Sequence, residues 1–385
     1  MKTIFFLIAT TALAETAWAE PVFLAKQYTR CSACHYSPTG GGLLTPYGRL
    51  LSHRELSTTG SGDATASNAG VEDDPHGEQA FLYGALGDAL GPVHLGLEIR
   101  PAHLHIGFPG GHQDMNLQMN LDLIGALQKN GWTAYGTVGR EPPNAASRNG
   151  QTLPDAAFIS YEHWISYQTD RGFGIRAGRF LPAYGVRFAD HTTYTRAYLD
   201  LDRNDQVYGL EVSATKGPSM VQAMISPGKA EALLHDPSHR GFSTAGRWQF
   251  DLSPRATLIG SGFYRDSTEV DPRSGAVGGA FGFAPTSHVS IWTEADANLT
   301  TQAAGGHTWV VVNETSIEVY RGIWLKLSPQ LHTSGVAESQ SDVRRLVFGA
   351  DLLPRTHWNV NLSYYLDHAN GASTSTLLTQ LHLFM

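Results

Sequence analysis

The sequence predicts an all-β fold: a transmembrane antiparallel β-barrel of about 16 strands, preceded by a small N-terminal segment. Three observations predict it: stretches of alternating apolar and polar residues, turn residues between those stretches, and a glycine- and aromatic-rich composition. The 385 residues include 41 Gly, 15 Tyr, 16 Phe and 8 Trp, and only 16% of the chain is charged. Alternation with a period of two gives a strand one apolar and one polar face, as in outer-membrane barrels.

Residues 1–19 are predicted to form a secretory signal peptide. Lys2 is the charged start, residues 4–13 are the apolar core, and Ala17-Trp18-Ala19 fits a small-residue cleavage site. The mature chain is therefore expected to begin at Glu20 and to be exported.

Residues 20–56 form a segment organised around one motif, Cys31-Ser32-Ala33-Cys34-His35, which contains the only two cysteines of the chain. C-x-x-C-H is the spacing of c-type haem attachment, in which both thiols bond to the haem and the histidine reaches the iron. Cys31 and Cys34 are therefore predicted to hold one covalent haem c, with His35 as the proximal iron ligand. A thiol redox pair would need a thioredoxin-like βαβ setting, and a structural zinc would need further ligands.

The distal side of this haem has several candidate ligands. No methionine lies between Met1 and Met115, so an axial methionine near the motif is excluded. His53 is the first choice, because neutral imidazole is the commonest protein metal ligand. His76, Lys26 and an open site are the alternatives. If His53 does not bind the iron, it is expected to be a solvated histidine on a polar turn.

Residues 57–79 are predicted to be a linker to the barrel, which occupies 80–385. Residues 57–70 are rich in Ser, Thr, Gly and Ala, which favours a flexible chain. The haem segment has few apolar residues of its own, and short domains rarely enclose a cofactor alone. We therefore expect it to fold back and dock inside the periplasmic end of the barrel.

Barrel strands are predicted from the alternation that starts near residue 80. The clearest strand has Leu117, Met119, Leu121 and Leu123 on one face, and a Lys-Asn-Gly hairpin follows at 129–131. The final strand continues to the last residue. Short turns alternate with longer loops, which favours a membrane barrel over a soluble β-sandwich.

Seventeen candidate strands are visible, but two periplasmic termini require an even number. The candidate at 80–88 is followed by a short turn, which belongs at the periplasmic end, whereas a first strand that starts in the periplasm should end on the outer side. Rejecting this candidate leaves about 16 strands. The connection at 181–205 is the longest and is highly charged. It either folds into the lumen as a constriction or lies on the surface, and the sequence leaves both open.

Several polar residues of the first strand are candidates for the haem environment. His94, Glu98 and Arg100 share its polar face, whereas His103 and His105 fall on the other face just after a proline. A bulge at the proline would turn these two histidines inward, towards the haem or a metal. The alternative is that these histidines form part of the hydrated lining of the lumen or lie near lipid headgroups.

An exported C-x-x-C-H close to the mature N-terminus, followed directly by a barrel, resembles the fused monohaem c-type cytochrome–porin family of the outer membrane. These proteins act in iron oxidation and extracellular electron transfer. The stretch from Cys31 to Gly42 resembles their haem segments, and 176–185 resembles a strand-and-loop motif of porins.

The resemblance implies the outer membrane of a Gram-negative bacterium, with the haem segment on the periplasmic side or in the barrel lumen. It implies an extracellular electron donor or acceptor, with Fe(II) as the expected donor, and a periplasmic cytochrome or other electron carrier as partner. A one-electron oxidoreductase is the only enzyme class that these residues leave open. The opposite direction of electron flow fits equally well.

Two other functions remain open at this point. The protein could be a diffusion porin with a tethered haem plug or sensor, or a sleeve around a partner multihaem cytochrome. Nucleic-acid binding is disfavoured by the net charge of −8. No nucleophile–base pair or phosphate-binding loop supports hydrolase chemistry.

Overall fold

The computed structural model describes residues 21–60, 81–85, 91–140, 158–199, 201, 205–228, 241–266, 274–299, 308–334, 342–369 and 371–385. The predicted signal peptide and most of the predicted linker lie outside these residues.

The described chain is almost entirely β-structure. The strands are β1 (Val93–Phe108), β2 (Gly111–Lys129), β3 (Trp132–Arg140), β4 (Phe158–Ile159), β5 (His163–Gln168), β6 (Phe173–Phe180), β7 (Val207–Lys216), β8 (Ser219–Ser226), β9 (Ser243–Ser253), β10 (Ala256–Arg265), β11 (Ser274–Thr286), β12 (Val289–Asn298), β13 (Thr308–Tyr320), β14 (Ile323–Ser334), β15 (Val343–Arg355), β16 (Trp358–Ala369) and β17 (Ala372–Phe384).

In the described ranges, helical structure is confined to short pieces between and before the strands. The helices are α1 (Pro46–Leu51), which runs on into a wider turn at Ser52–Leu56, and α2 (Tyr194–Ala197), with single 3₁₀ turns at Pro21–Leu24, Cys31–Ala33 and Phe81–Gly84. No helix among the described residues is long and apolar enough to cross a membrane.

The strands form one closed antiparallel barrel. Apart from β4 and β5, each strand pairs with the next along the chain, and β1 pairs with β17 to close the sheet. β4 and β5 both pair with β3, so they are two parts of one interrupted strand. The seventeen segments therefore make 16 barrel strands, which confirms the predicted number. At the rejected candidate 80–88, the described residues form a turn rather than a strand.

The two faces of the barrel have opposite polarity. Large apolar side chains such as Leu123, Trp132 and Leu362 are 52%, 51% and 40% exposed on the outside. Charged side chains such as Glu98 and Arg100 are buried towards the lumen. This arrangement suits a barrel surrounded by lipid, with a polar interior.

Short turns collect at one end of the barrel. β2 and β3 are joined by Asn130 and Gly131, both with positive φ (52° and 81°), as a tight hairpin turn requires. β3, β6 and β8 end at the opposite end of the barrel, where the next strand begins many residues later in the sequence. β1 begins and β17 ends at the short-turn end, which is the periplasmic end in outer-membrane barrels.

The predicted inward turn of His103 and His105 is wrong. A register shift does occur where β1 reaches its proline, but the extra residue is on β2. There Met119 and Asn120 are consecutive and both buried, whereas β1 keeps its alternation. His103 and His105 therefore stay on the outer surface, each about half exposed.

Replacing Leu362 with Arg is expected to impair barrel assembly, because a lipid-facing charge near the bilayer midplane costs about 2–4 kcal/mol. Ser363→Arg is the matched control, since Ser363 is the next residue of β16 and faces a cavity in the lumen. The yield of heat-modifiable barrel on unboiled gels measures the effect. Equal loss from both variants would show that the two faces of β16 are assigned the wrong way round.

Candidate functional site

Residues 21–60, called the plug below, lie inside the short-turn end of the barrel. Two ion pairs join the plug to distant strands. Lys26 Nζ lies 2.6 Å from Glu318 Oε2 near the end of β13, and Arg30 Nε lies 2.7 Å from Asp251 Oδ2 near the end of β9. The plug therefore spans the barrel mouth, as the sequence predicted for the haem segment.

The plug also contacts the early strands. Arg49 donates a hydrogen bond to the carbonyl oxygen of Leu95, and the ring of Tyr36 packs 5.6 Å, centroid to centroid, from that of His94. Glu98 is engaged within the barrel wall by Arg100. Of the three polar residues predicted near the haem segment, His94 is therefore in contact with the plug.

Local sequence explains how the plug folds. Thr45 caps α1, its Oγ1 accepting a hydrogen bond from Gly48 N at 3.0 Å, and Pro46 occupies the first helical position. Between the motif and this helix the chain turns back on itself, and the three glycines at 40–42 all have positive φ. Glycine adopts such φ angles at little cost, so this stretch is a tight turn.

Gly42 touches the barrel wall directly. The neighbouring Leu43 N donates to Tyr135 Oη at 3.3 Å, and a Cβ on Gly42 would overlap the same hydroxyl. A residue without a side chain is needed here for the plug to seat against β3.

The described part of the connection after β6 folds into the lumen, so it does not lie on the outer surface. Residues 181–199, called the lumen loop below, are fixed by hydrogen bonds to several strands. Tyr184 Oη donates to Asp296 Oδ1 at 2.7 Å, and Arg345 Nη1 donates to the Thr192 carbonyl at 2.9 Å. The lumen loop therefore crosses the barrel above the plug.

A cavity that is partly open to solvent lies between the plug and the lumen loop, and its empty space, together with the solvent at its opening, is about 670 Å³. Cys31, Cys34 and His35 all line it. The structure thus brings the three predicted haem-binding residues to one cavity, while their binding role stays a prediction.

The walls of this cavity are mainly apolar. Leu24 and Tyr28 come from the plug, Val186 from the lumen loop, and Ile259 and Trp292 from the barrel. An apolar enclosure of this kind would shield a flat, mostly apolar ligand from water.

Three guanidinium groups also line the cavity: Arg30 of the plug, Arg187 of the lumen loop and Arg247 of β9. The sequence placed Arg187 in a charged loop and Arg247 on a polar strand face. It gave no sign that they meet at the C-x-x-C-H motif, because their approach depends on how the loop folds inward.

Burial keeps the three motif side chains uncharged at neutral pH. It raises the pKa of the Cys31 thiol, and it raises the pKa of Cys34 to about 12, with a further contribution from Cys31. Burial, and then the charge of Arg187, lowers the pKa of His35 to about 4. A neutral imidazole is the form that binds a metal, whereas thiols with raised pKa values are poor redox nucleophiles.

His53, the first choice for distal ligand, lies elsewhere. Its Nδ1 is 2.5 Å from Thr356 Oγ1, in the turn between β15 and β16, and it does not line the cavity. Lys26 is engaged by Glu318. Within the described part of the chain, the cavity lining has no second histidine and no methionine, so an open distal site fits this lining best. His76 lies outside the described residues.

No cluster of three or more His, Cys, Asp and Glu side chains in the described ranges is arranged to hold a metal ion. The outer-surface histidines pair with polar neighbours instead. His103 Nδ1 lies 2.9 Å from Asn116 Oδ1, and His105 Nδ1 lies 2.7 Å from Asp114 Oδ1.

Comparison with known proteins shows the fold. No protein-family model and no curated protein sequence matches the chain. Solved porins do match. An anion-selective porin from Comamonas acidovorans is 12% identical, with a TM-score of 0.56, over 76% of this chain and 99% of that chain. Pseudomonas putida OprB is 8% identical, with a TM-score of 0.61, over 79% and 97%.

Salmonella typhi OmpF, solved in complex with daunomycin, is 10% identical with a TM-score of 0.60, over 76% of this chain and 97% of that chain. At such identities the likeness concerns the fold. Together with the apolar outer face, it makes this chain a porin-like barrel of the outer membrane. The comparisons support the diffusion-porin interpretation better than electron transfer, and they give no evidence for a fused cytochrome family.

Gly42→Ala is expected to loosen the plug, because the added Cβ overlaps Tyr135 Oη and the positive φ of +63° disfavours alanine. Gly110→Ala is the control, since Gly110 also has a positive φ, +96°, but nothing lies within 4 Å of its Cβ position. Limited proteolysis should release the plug faster from the Gly42 variant alone. Equal protection of both variants would contradict this seating of the plug.

Proposed function

We propose that this protein is an outer-membrane electron-transfer barrel that carries one covalent c-type haem in its periplasmic mouth. The observation that supports this most directly is that Cys31, Cys34 and His35 line a single cavity enclosed by the plug, the lumen loop and the barrel wall. In this proposal the chain is a member of the fused monohaem cytochrome–porin family that its motif resembles.

The residues around the cavity fit the group. Cys31 and Cys34 would hold it by thioether bonds, and His35 would bind the iron as a neutral imidazole. The His35 side chain is buried at the wall of the cavity. When bound, haem supplies a one-electron couple.

The surrounding protein would control access to that couple. The plug closes the periplasmic side and the lumen loop covers the other side, so bulk water has restricted entry. A periplasmic cytochrome or other carrier would approach from the short-turn end. An extracellular donor such as Fe(II), or an acceptor if electrons flow outward, would approach through the opposite mouth.

The second candidate is a diffusion porin whose plug is a regulator or minor addition. The likeness to solved porins favours it, and so does a second lumen cavity of about 480 Å³ between the lumen loop and β13–β17. Polar side chains such as Asp190, Lys326 and Gln380 line that space, as they would a pathway for small solutes.

The sleeve interpretation is less well supported. The described plug and lumen loop occupy the barrel interior that a separate multihaem cytochrome would need. Binding such a partner would require both to leave the lumen.

Covalent haem is expected on the wild-type chain expressed with a c-type maturation system. A haem-stained denaturing gel should show a signal that disappears in Cys31→Ala/Cys34→Ala. The purified wild type should then be reduced by Fe(II), visible as a shift of the Soret band and a sharpened α band. A wild-type band without haem stain would refute the proposal, and attached haem that neither Fe(II) nor another one-electron donor reduces would refute electron transfer.

Channel conductance tests the porin alternative. If the plug seals the periplasmic mouth, intact protein in planar bilayers should conduct weakly, and deletion of residues 21–60 should raise single-channel conductance several-fold. High conductance of the intact protein would favour the diffusion porin.

A further inference from the structure

We propose that Arg247, with Arg187 opposite it on the lumen loop, binds the two propionate carboxylates of the haem and so orients it in the cavity. The inference rests on the proposed function, and it assigns two positioning residues that lie outside the C-x-x-C-H motif.

Arg247 is a buried cation whose hydrogen-bond partners are all neutral. Its Nε donates to the Gly185 carbonyl at 2.9 Å, its Nη1 to Gln222 Oε1 at 3.4 Å, and its Nη2 to Gln249 Oε1 at 2.9 Å. No carboxylate of the described chain forms an ion pair with it within 4 Å, although Glu294, Asp251 and Glu211 act on it at longer range. A buried charge of this kind is costly unless a counter-charge is present, and the cavity beside it is where an anionic ligand group could supply one.

Arg187 brings a second guanidinium to the same cavity from a different element. It donates a hydrogen bond to the Gly40 carbonyl in the plug, and its Nη2 lies 3.7 Å from Glu162 Oε1. The contact with Gly40 links Arg187 to the turn that follows the haem motif. The same residue therefore couples the lumen loop to the plug on which the haem would be fixed.

Arg30 is not assigned this role. Its Nε is bonded to Asp251 Oδ2 and its Nη2 to the Gly217 carbonyl, each at 2.7 Å. Arg30 is therefore hydrogen-bonded directly to a carboxylate and acts as an anchor between plug and barrel, whereas Arg187 lies farther from the Glu162 carboxylate, at 3.7 Å.

The chemistry of the ligand matches this division of the cavity. Haem fixed through thioethers to the plug carries two carboxylates, and a guanidinium binds a carboxylate through two parallel hydrogen bonds. The thiols and imidazole belong to the plug, whereas Arg247 and Arg187 belong to the barrel and its loop. The two arginines would therefore join the plug to the barrel through the haem itself.

Arg247→Gln in the haem-loaded full chain tests the proposal. Loss of a cation stabilises oxidised over reduced haem, so the reduced-to-oxidised ratio at a fixed applied potential is expected to fall about tenfold, equivalent to about 59 mV for one electron. The propionate-bending band in resonance Raman spectra should also shift, which a merely structural change in the wall would not produce. Arg247→Lys should recover most of the ratio but not the position of the band.

Arg344→Gln is the charge-matched control, because Arg344 is exposed and its Nη2 pairs with Asp342 at 3.3 Å, away from the cavity lining. Its potential should equal that of the wild type. Arg187→Gln provides a second neutralised variant, so that poor assembly of Arg247→Gln does not remove the test. An unchanged potential and propionate band in the neutralised variants would overturn this proposal while leaving covalent haem intact. A wild type without haem would overturn the proposed function, and this inference with it.

Discussion

The structure depends on one constraint: the wall of a lipid-facing barrel turns its apolar side chains outward and its charged and amide groups inward. Whatever occupies the lumen must therefore be held mainly by polar contacts. The plug shows this in its ion pairs, such as Lys26 with Glu318, whose side chains are only 10% and 3% exposed. Removing one partner of a buried pair typically costs 3–5 kcal/mol, so a few such pairs suffice to fix a short segment.

The same constraint explains why the cavity has an unusual lining. The wall alone would offer mostly polar groups, but the plug and the lumen loop bring Leu24, Tyr28 and Val186 to one place. With Ile259 and Trp292 they make an apolar chamber inside a polar tube. The chamber is formed jointly by three parts of the chain that are distant in sequence, and none of them could enclose a ligand alone.

Local patterns in the sequence predicted most of the barrel. Alternation and tight hairpins predicted the closed sheet and the end at which the plug docks. The requirement that both termini be periplasmic, which gives an even number of strands, predicted the count of 16. The missed details are tertiary. A proline in β1 removes a hydrogen-bond donor without changing the parity of its own strand, so the bulge formed on β2 and His103 stayed outside. The interruption between β4 and β5 was not visible in the sequence pattern either. There Tyr161 N and Glu162 N both donate to Thr137 Oγ1.

For the candidate site, the motif predicted Cys31, Cys34 and His35 from a fixed local spacing, and the structure places all three at one cavity. Closeness in sequence was a poor guide to the rest. His53 is only 18 residues from His35, but the helix between them carries it to the β15–β16 turn. Arg247 is more than 200 residues away and lines the same cavity.

The enclosure of the motif has a consequence for biogenesis. Cys34 is only 5% exposed once the plug is seated, and the sheet around it is closed by the pairing of β1 with β17. The seated plug leaves little access to Cys34, so an enzyme that had to handle both thiols would be hindered in this state. In the proposed function, haem attachment to the cysteines would therefore precede docking, and the segment would enter the barrel with the haem already bound. The order of haem attachment and barrel folding would then be set by the width of the periplasmic opening of the barrel.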